Sequence, residues 1–323
     1  VAALCEPSTY PGGVRRVEAV ETHMSWVFLT ECHAYKLKKP VRLDRLDYRT
    51  VEARLRACEM ELELNRRLAA SVYLAVVPLV MIGGAWRLEE RGTPADWLVK
   101  MRRLPRESML DSLIESGILS REDVERLATK LVEFYRTAER YPLAGAAYHR
   151  QITEALEAKY LTLNQPHYGL SQTDLCELVE RQRQWLSGYG SILETRAGAV
   201  VDAHGDLRPE HVCLEPEPVV IDCLEFDREL RLLDPLSELA FLSLECRRLG
   251  AGWIGDELLS AYADRTGDRA SVRLVPFYQS YHAVIRAAVA VWHLDDGALY
   301  RTDSWRERGS LYLRMALDVL GTT

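Results

Sequence analysis

One short stretch constrains this chain more than any other. Residues 198–201 form an apolar run, Gly-Ala-Val-Val, and the polar sequence His204-Gly-Asp-Leu-Arg-Pro-Glu-His211 follows. Val212-Cys-Leu214, a proline-containing turn and Val219-Val-Ile221 come next, and Asp222 closes the stretch. Short apolar runs bounded by Gly, Pro and Asp read as strands, so the order is strand, polar loop, strand, turn, strand, acid. That order carries two carboxylates, Asp206 and Asp222, to neighbouring ends of a hairpin. Phosphoryl transfer needs such a layout. One acid orients an attacking hydroxyl, and a second holds the metal that neutralises the phosphates. Asp206 suits the first role and Asp222 the second. A lone His-Gly-Asp is more often a structural acid; the strand context and the second acid together point to chemistry.

The flanking sequence divides at about residue 104. Before it, residues 18–20, 26–29, 34–38, 76–82 and 97–101 read as strands between polar or glycine turns, and residues 50–70 follow a helical pattern. Residues 102–106, with Pro105, read as a connector. Beyond it the pattern is mostly helical. Ser120-Arg-Glu-Asp123 is a capping-box start for a helix to about residue 140. Further helical patterns cover 149–160, 172–187, 235–249, 256–263 and 275–293. The expectation is an α+β chain, with residues 1–104 an antiparallel sheet plus one helix and residues 105–323 mainly helical.

The catalytic stretch resembles a known family. His204-Gly-Asp-Leu-Arg-Pro-Glu-His211 looks like the catalytic loop of the aminoglycoside phosphotransferases and, at Leu-Arg-Pro-Glu, like that of protein kinases. Val220-Ile-Asp222 with Asp234-Pro-Leu-Ser-Glu238-Leu-Ala240 is similar to the metal-binding segment of these small-molecule kinases and the helix after it. The whole chain also resembles an uncharacterised branch of the family, in Glu21-Thr-His-Met-Ser-Trp-Val-Phe-Leu29, Ala34-Tyr-Lys-Leu-Lys-Lys-Pro40 and Ile221-Asp-Cys-Leu-Glu-Phe226. Some members of that branch are fused to a P-loop domain; no GxxxxGK occurs here, so that part is not expected in this chain. The resemblance implies a protein-kinase-like two-lobed fold, ATP or GTP, and Mg²⁺ with Mn²⁺ as the alternative. It makes Asp206 the catalytic base, Asp222 the principal metal ligand and His204 the brace of the loop. Arg208 matches a position near the γ-phosphate, where a guanidinium stabilises charge. The family usually places Asn five residues after the base, as a second metal ligand; here it is His211. Imidazole is softer than an amide oxygen, which bears on metal preference. Glu238 stands where the family usually has Asp.

In kinase-like folds a strand lysine holds the α- and β-phosphates and a helix glutamate orients it. Side chains alternate along residues 34–39, so Lys36 and Lys38 share a face. Lys38 aligns best with the family lysine and Lys36 is the fallback. On the helix, Val51, Leu55, Cys58, Leu62 and Ala69 form one apolar stripe and Leu64 and Leu68 a second. Glu61 projects between them, whereas Glu59 and Glu63 project outside. An inward carboxylate needs a cation, so the pattern predicts a Glu61–Lys38 pair. No GxGxxG covers the phosphates; the turn at residues 21–25, with Thr22 and Ser25, stands in its place. Residues 100–104, including Met101, are expected to present backbone groups to the purine.

Composition narrows the alternatives. The net charge of −7 disfavours general nucleic-acid binding and is compatible with a cationic substrate. No apolar run approaches a membrane span, and residues 1–10 lack a signal-peptide pattern. Seven cysteines without CxxC spacing argue against a disulfide framework or a zinc site and fit a reducing cytoplasm. The expected partner is a small-molecule hydroxyl substrate, such as an aminoglycoside, an amino sugar or another antibiotic; oligomeric state stays open. Two rivals remain. A nucleotide-binding, pseudokinase-like module is suggested by His211. A protein kinase fits less well, since only eleven residues separate Asp222 from Asp234 and no Ala-Pro-Glu follows. Phe277, Tyr278, Tyr281, His282, Ile285, Val289 and Trp292 read as helix core rather than a substrate platform, and His293-Leu-Asp-Asp296 as an ordinary helix end.

Overall fold

In the computed structural model the early strands assemble into one six-stranded antiparallel sheet. Its strands are β1 (Glu18–Glu21), β2 (Ser25–Leu29), β3 (His33–Lys38), β6 (Tyr73–Ile82), β7 (Ala85–Leu88) and β8 (Pro94–Arg102), in the order β1-β2-β3-β8-β6-β7. A short pair, β4 (Arg42–Leu43) and β5 (Leu46–Asp47), leads into helix α1 (Val51–Ala69). The structure describes residues 1–43, 46–141, 143–269, 271–295 and 303–321. By internal contacts the chain groups into two units. The first is Val1–Gly117 with His204–Asp206 and Glu210–Arg231; the second is Ile118–Ala203, Leu207–Pro209 and Leu232–Thr323.

The first unit is built on alternation. Tyr35 and Leu37 of β3 point into an apolar cluster with Phe28, Leu79, Leu98 and Leu4. Ala34 points the other way, into a cluster with Val99, Met101, Tyr73 and, from α1, Cys58 and Ala69. Lys36 and Lys38 therefore lie on the α1 face. Thr50 caps α1 by accepting the Ala53 N–H. Arg54 fixes the rotation of the helix: it forks onto Asp96 of β8, at 2.9 Å from both Nε and Nη2, and its Nη1 donates to the Tyr48 carbonyl at 2.8 Å. Two helical turns on, Glu61 is then aimed at the sheet. Glu61 is fully buried, while Glu59 and Glu63 are exposed. Helix α2 (Leu110–Ser116) follows the sheet, and strands β10 (Val212–Cys213) and β11 (Val219–Val220) form a hairpin joined to this unit by a Met109–Cys213 bridge and the Leu214 N–H to Ser108 carbonyl bond.

The second unit is helical apart from the pair β9 (Val201–Asp202) and β12 (Leu232–Leu233). Its long helices are α3 (Arg121–Thr137), α4 (Gly145–Leu163), α5 (Gln172–Arg196), α6 (Pro235–Arg248), α7 (Gly252–Thr266), α8 (Leu274–Trp292) and α9 (Asp303–Gly321). The capping box of Ser120 and Asp123 opens α3 as its sequence predicts. Asp234 caps α6 and is itself held by both arms of Arg196, at 2.7 Å each, and by the Tyr278 hydroxyl at 2.9 Å. Glu238 is buried and accepts from the Tyr135 hydroxyl at 2.8 Å, so it braces the helix packing. A Cβ at Gly255 would come within 1.9 Å of the Ser243 hydroxyl, so only glycine allows α6 and α7 to approach this closely. Phe277, Tyr278, Tyr281 and His282 are core residues, and Trp185 stacks on Phe277 with ring centroids 3.8 Å apart. Asp295 accepts from His167 and Tyr168, as a helix-end acid does; Asp296 lies outside the described residues. No described helix is long and apolar enough to cross a membrane, and all seven cysteines are free thiols.

Candidate active site

The candidate side chains of the first unit converge on a chain of alternating charges. Lys36 Nζ lies 2.6 Å from Asp222 Oδ1 and 2.9 Å from Glu61 Oε1. Lys38 contacts the other oxygen of Glu61 and also Glu225, to which the Tyr48 hydroxyl donates at 3.2 Å. The Glu61–Lys38 pair expected from periodicity is present, and the structure adds a second pair, Glu61–Lys36. The lysines differ in surroundings. The Lys38 side chain is 1% exposed, whereas Lys36 reaches Asp222, whose side chain is 45% exposed. Burial works against charge on both lysines, but Asp222 and Glu61 raise Lys36 well above the ordinary lysine pKa, and Glu225 and Glu61 raise Lys38. Desolvation likewise opposes ionisation of Asp222, and Lys36 and then His211 overcome it, holding the carboxyl well below its usual range. Lys36, Lys38 and Asp222 thus stay ionised at neutral pH.

Backbone geometry sets where Asp222 points. Its φ is +63°, left-handed and costly for a non-glycine residue by roughly 1 kcal/mol. Each residue of the segment is tied to a different element. The Asp222 N–H donates to the Tyr73 hydroxyl at 3.1 Å, the Cys223 N–H to Asn65 Oδ1 at 2.9 Å and the Leu224 N–H to the His204 carbonyl at 3.2 Å. Asn65 in turn donates to the Glu61 carbonyl on α1 at 2.9 Å.

The loop of residues 204–211 is fastened to the same segment. His204 accepts the Asp206 N–H on Nδ1 at 3.3 Å, so its proton sits on Nε2 and is donated to the Ile221 carbonyl at 2.9 Å. Burial, and then His211, lower its pKa to about 3, so it remains a neutral brace. Gly205 has φ +88°, and a Cβ there would meet Leu224 at 3.0 Å, so the turn between His204 and Asp206 requires glycine. His211 donates from Nδ1 to the Asp206 carbonyl at 2.8 Å. Its Nε2 lies 3.6 Å from Asp222 Oδ2, while Nδ1 is 3.5 Å from Asp206 Oδ2. His211 therefore stands between the two acids.

The remaining candidates are placed as follows. Thr22 Oγ1 donates to the Ser25 carbonyl at 2.9 Å and accepts the Ser25 N–H at 3.0 Å, closing the β1–β2 turn. Ser25 pairs in register with Lys38 and so shares the lysine face; its buried hydroxyl has no hydrogen-bond partner among the described residues. Met101 sits within β8 between Ala34 and Tyr73, and its side chain is in the α1-side core with Val27, Leu104 and Ile221. The residues between 100 and 102 thus belong to the sheet, and the connector begins at Arg103. Arg208 follows Asp206 in the loop, half-buried, and groups with the second unit.

Among the described residues no three His, Cys, Asp or Glu side chains form a metal-holding group. That excludes a self-sufficient zinc-type cage there. The Asp222 carboxylate fits Mg²⁺, which takes one or two carboxylates and completes its shell with water and phosphate oxygens, whereas the neighbouring His211 nitrogen is a donor better suited to a transition metal. Glu225, Tyr48, Asn65 and Tyr73 were not singled out by sequence reasoning. Asn65 had a readable signal, since it lies four residues after Glu61 on the same helical face.

Sheet, helix and loop together define a protein-kinase-like fold of the kind found in small-molecule kinases. A choline/ethanolamine kinase family protein from Mesorhizobium loti superposes with a TM-score of 0.57 at 12% identity, over 100% of this chain and 99% of that one. A glucosamine kinase in complex with glucosamine, ADP and inorganic phosphate gives 0.52 at 15% identity, over 94% and 80%. A thermostable mutant of an aminoglycoside phosphotransferase gives 0.52 at 10% identity, over 96% of each chain. In sequence, an uncharacterized protein of Mycobacterium tuberculosis is 33% identical over 293 residues, 87% of this chain. The match spans 56% of that protein, so this chain covers about half the length of the relative. No family model matches the chain.

Proposed function

We propose that this protein is a small-molecule kinase, transferring the γ-phosphoryl group of ATP or GTP to a hydroxyl of an aminoglycoside, an amino sugar or another small antibiotic-like acceptor. The observation that carries the reading is the Glu61–Lys36–Asp222 chain beside the His211-linked Asp206, all in one unit. Asp206 orients the acceptor hydroxyl and takes its proton as the oxygen–phosphorus bond forms and the bond to the β-phosphate oxygen breaks. Lys36, held by Glu61, binds phosphate oxygens, and Arg208, by its match to the family position, supplies a guanidinium that stabilises charge on the transferring group. Asp222 and His211 would hold Mg²⁺, which would supply neutralisation of phosphate charge. Ser25 offers its hydroxyl to a phosphate, and Val27, Ala34, Met101 and Ile221 supply the apolar side of the purine slot. His204 keeps Asp206 in register with Asp222. A nucleoside triphosphate and a reducing cytoplasm complete the setting.

The experiment is a transfer assay with γ-labelled ATP and GTP, against amino sugars, aminoglycosides, macrolides and nucleosides, with Mg²⁺ or Mn²⁺. Label should appear on an acceptor and vanish in Asp222→Asn. Tight nucleotide binding with no transfer to any acceptor would instead favour a pseudokinase-like module.

A further inference from the structure

The two lysines of β3 do different work. Resting on the reading above, we infer that Lys38 is a positioning residue that locks the metal-binding segment through Glu225, leaving Lys36 as the phosphate-binding lysine. Both lysines touch Glu61, but only Lys36 reaches Asp222. Lys38 is closed off: its side chain is 1% exposed, and its partners are Glu61 and the 10%-exposed Glu225. A cation so enclosed by two carboxylates has little room to accept a phosphate. Glu225, three residues after Asp222, is gripped from the other side by the Tyr48 hydroxyl at 3.2 Å. The grip joins the other fastenings on residues 222–225: the N–H bonds to Tyr73, Asn65 and the His204 carbonyl, the Arg231 guanidinium on the Leu224 carbonyl at 2.7 Å, and the Lys36–Asp222 pair. The three N–H bonds hold the backbone; of the two lysine pairs, Lys36 holds the segment by its Asp222 side chain and Lys38 holds it by Glu225. A left-handed Asp222 persists only where its surroundings over-determine it. The lysine pair is therefore a division of labour along one strand face, phosphate at Lys36 and loop at Lys38.

The test uses the full chain without acceptor. Amide hydrogen exchange is measured at residues 222–224 in the wild type, Glu225→Gln, Tyr48→Phe, Lys38→Met and Lys36→Met, together with ADP affinity in the absence of divalent metal. The lock predicts that Glu225→Gln and Lys38→Met speed exchange of the Cys223 and Leu224 amides at least about tenfold. Tyr48→Phe gives a smaller increase in the same amides, and Lys36→Met leaves them protected. Metal-free ADP affinity should fall in Lys36→Met and hold within about threefold in Lys38→Met. Should Lys38→Met fail to fold, Glu225→Gln and Tyr48→Phe decide by the same amides. Unchanged protection in Glu225→Gln, or an ADP affinity lost in Lys38→Met and kept in Lys36→Met, overturns the assignment. A wild type that binds no nucleotide removes the kinase reading instead, and the exchange comparison then still decides the lock alone.

Discussion

Replacing Glu61 by Gln isolates the centre of the charge chain. Glu61 is fully buried and places one carboxylate oxygen on each lysine. Two ammoniums face three carboxylates, Glu61, Asp222 and Glu225, so the change takes the cluster from one net negative charge to neutrality. Removing one partner of a buried pair costs about 3–5 kcal/mol when the other is left alone. Here each lysine keeps a second carboxylate, and the amide oxygen keeps one of the two contacts. The amide NH₂, however, faces an ammonium, donor against donor. The expected loss is therefore reduced to about 2–3 kcal/mol. The exposed Glu59 and Glu63 on the same helix are internal controls, and their Gln variants should stay within about 0.5 kcal/mol of the wild type. Urea titration with an unchanged m-value reads the difference. ADP affinity should also fall about tenfold or more in Glu61→Gln, because Lys36 loses its anchor and a charge-assisted bond is worth about 1.5–3 kcal/mol. A Glu61→Gln protein as stable as the Glu59→Gln control would refute the reasoning.

Two further outcomes follow from the histidines. Burial lowers the His282 pKa to about 3, against about 6.5 when unfolded, so below pH 6.5 the unfolded chain binds the extra proton and stability falls as pH drops from about 6.5 toward 3. His282→Gln should make that loss shallower by up to about 1.4 kcal/mol per pH unit, with His204 contributing equally in both proteins; identical slopes in urea titrations at pH 6, 5 and 4 would contradict it. His211→Asn replaces the imidazole beside Asp222 by an oxygen donor, so the ratio of Mn²⁺- to Mg²⁺-supported rate should fall several-fold; an unchanged ratio would make His211 a packing residue only.

Much of the first unit is legible in its residues. Thr50, the 3.6-residue period and the outward Glu59 and Glu63 fix α1 and the inward turn of Glu61, as found. Alternation put both lysines on one face. What alternation does not carry is which lysine meets which acid. Lys36–Asp222 and Lys38–Glu225 join residues far apart in sequence, and their choice depends on the left-handed backbone at Asp222. The same limit hides the grouping of residues 210–231 with residues 1–117: a Met109–Cys213 bridge leaves no local signature. Helix α9 went unread, because its charged residues and Gly309 obscure an apolar face that is defined only by packing, with Tyr312, Leu313 and Ala316 buried. Strand β7 completes a hairpin after Gly83 and Gly84 and is too short for its pattern to stand out.

The most direct measurement is the rate of phosphoryl transfer by Asp206→Asn beside its nucleotide affinity. Asp206 lies in the first unit with its backbone held by His204 and His211, so an amide in its place should leave the loop intact. The account predicts ADP affinity within about threefold of the wild type and transfer reduced by about 10²-fold or more, the size of a lost general base. Transfer at more than about a tenth of the wild-type rate would contradict it.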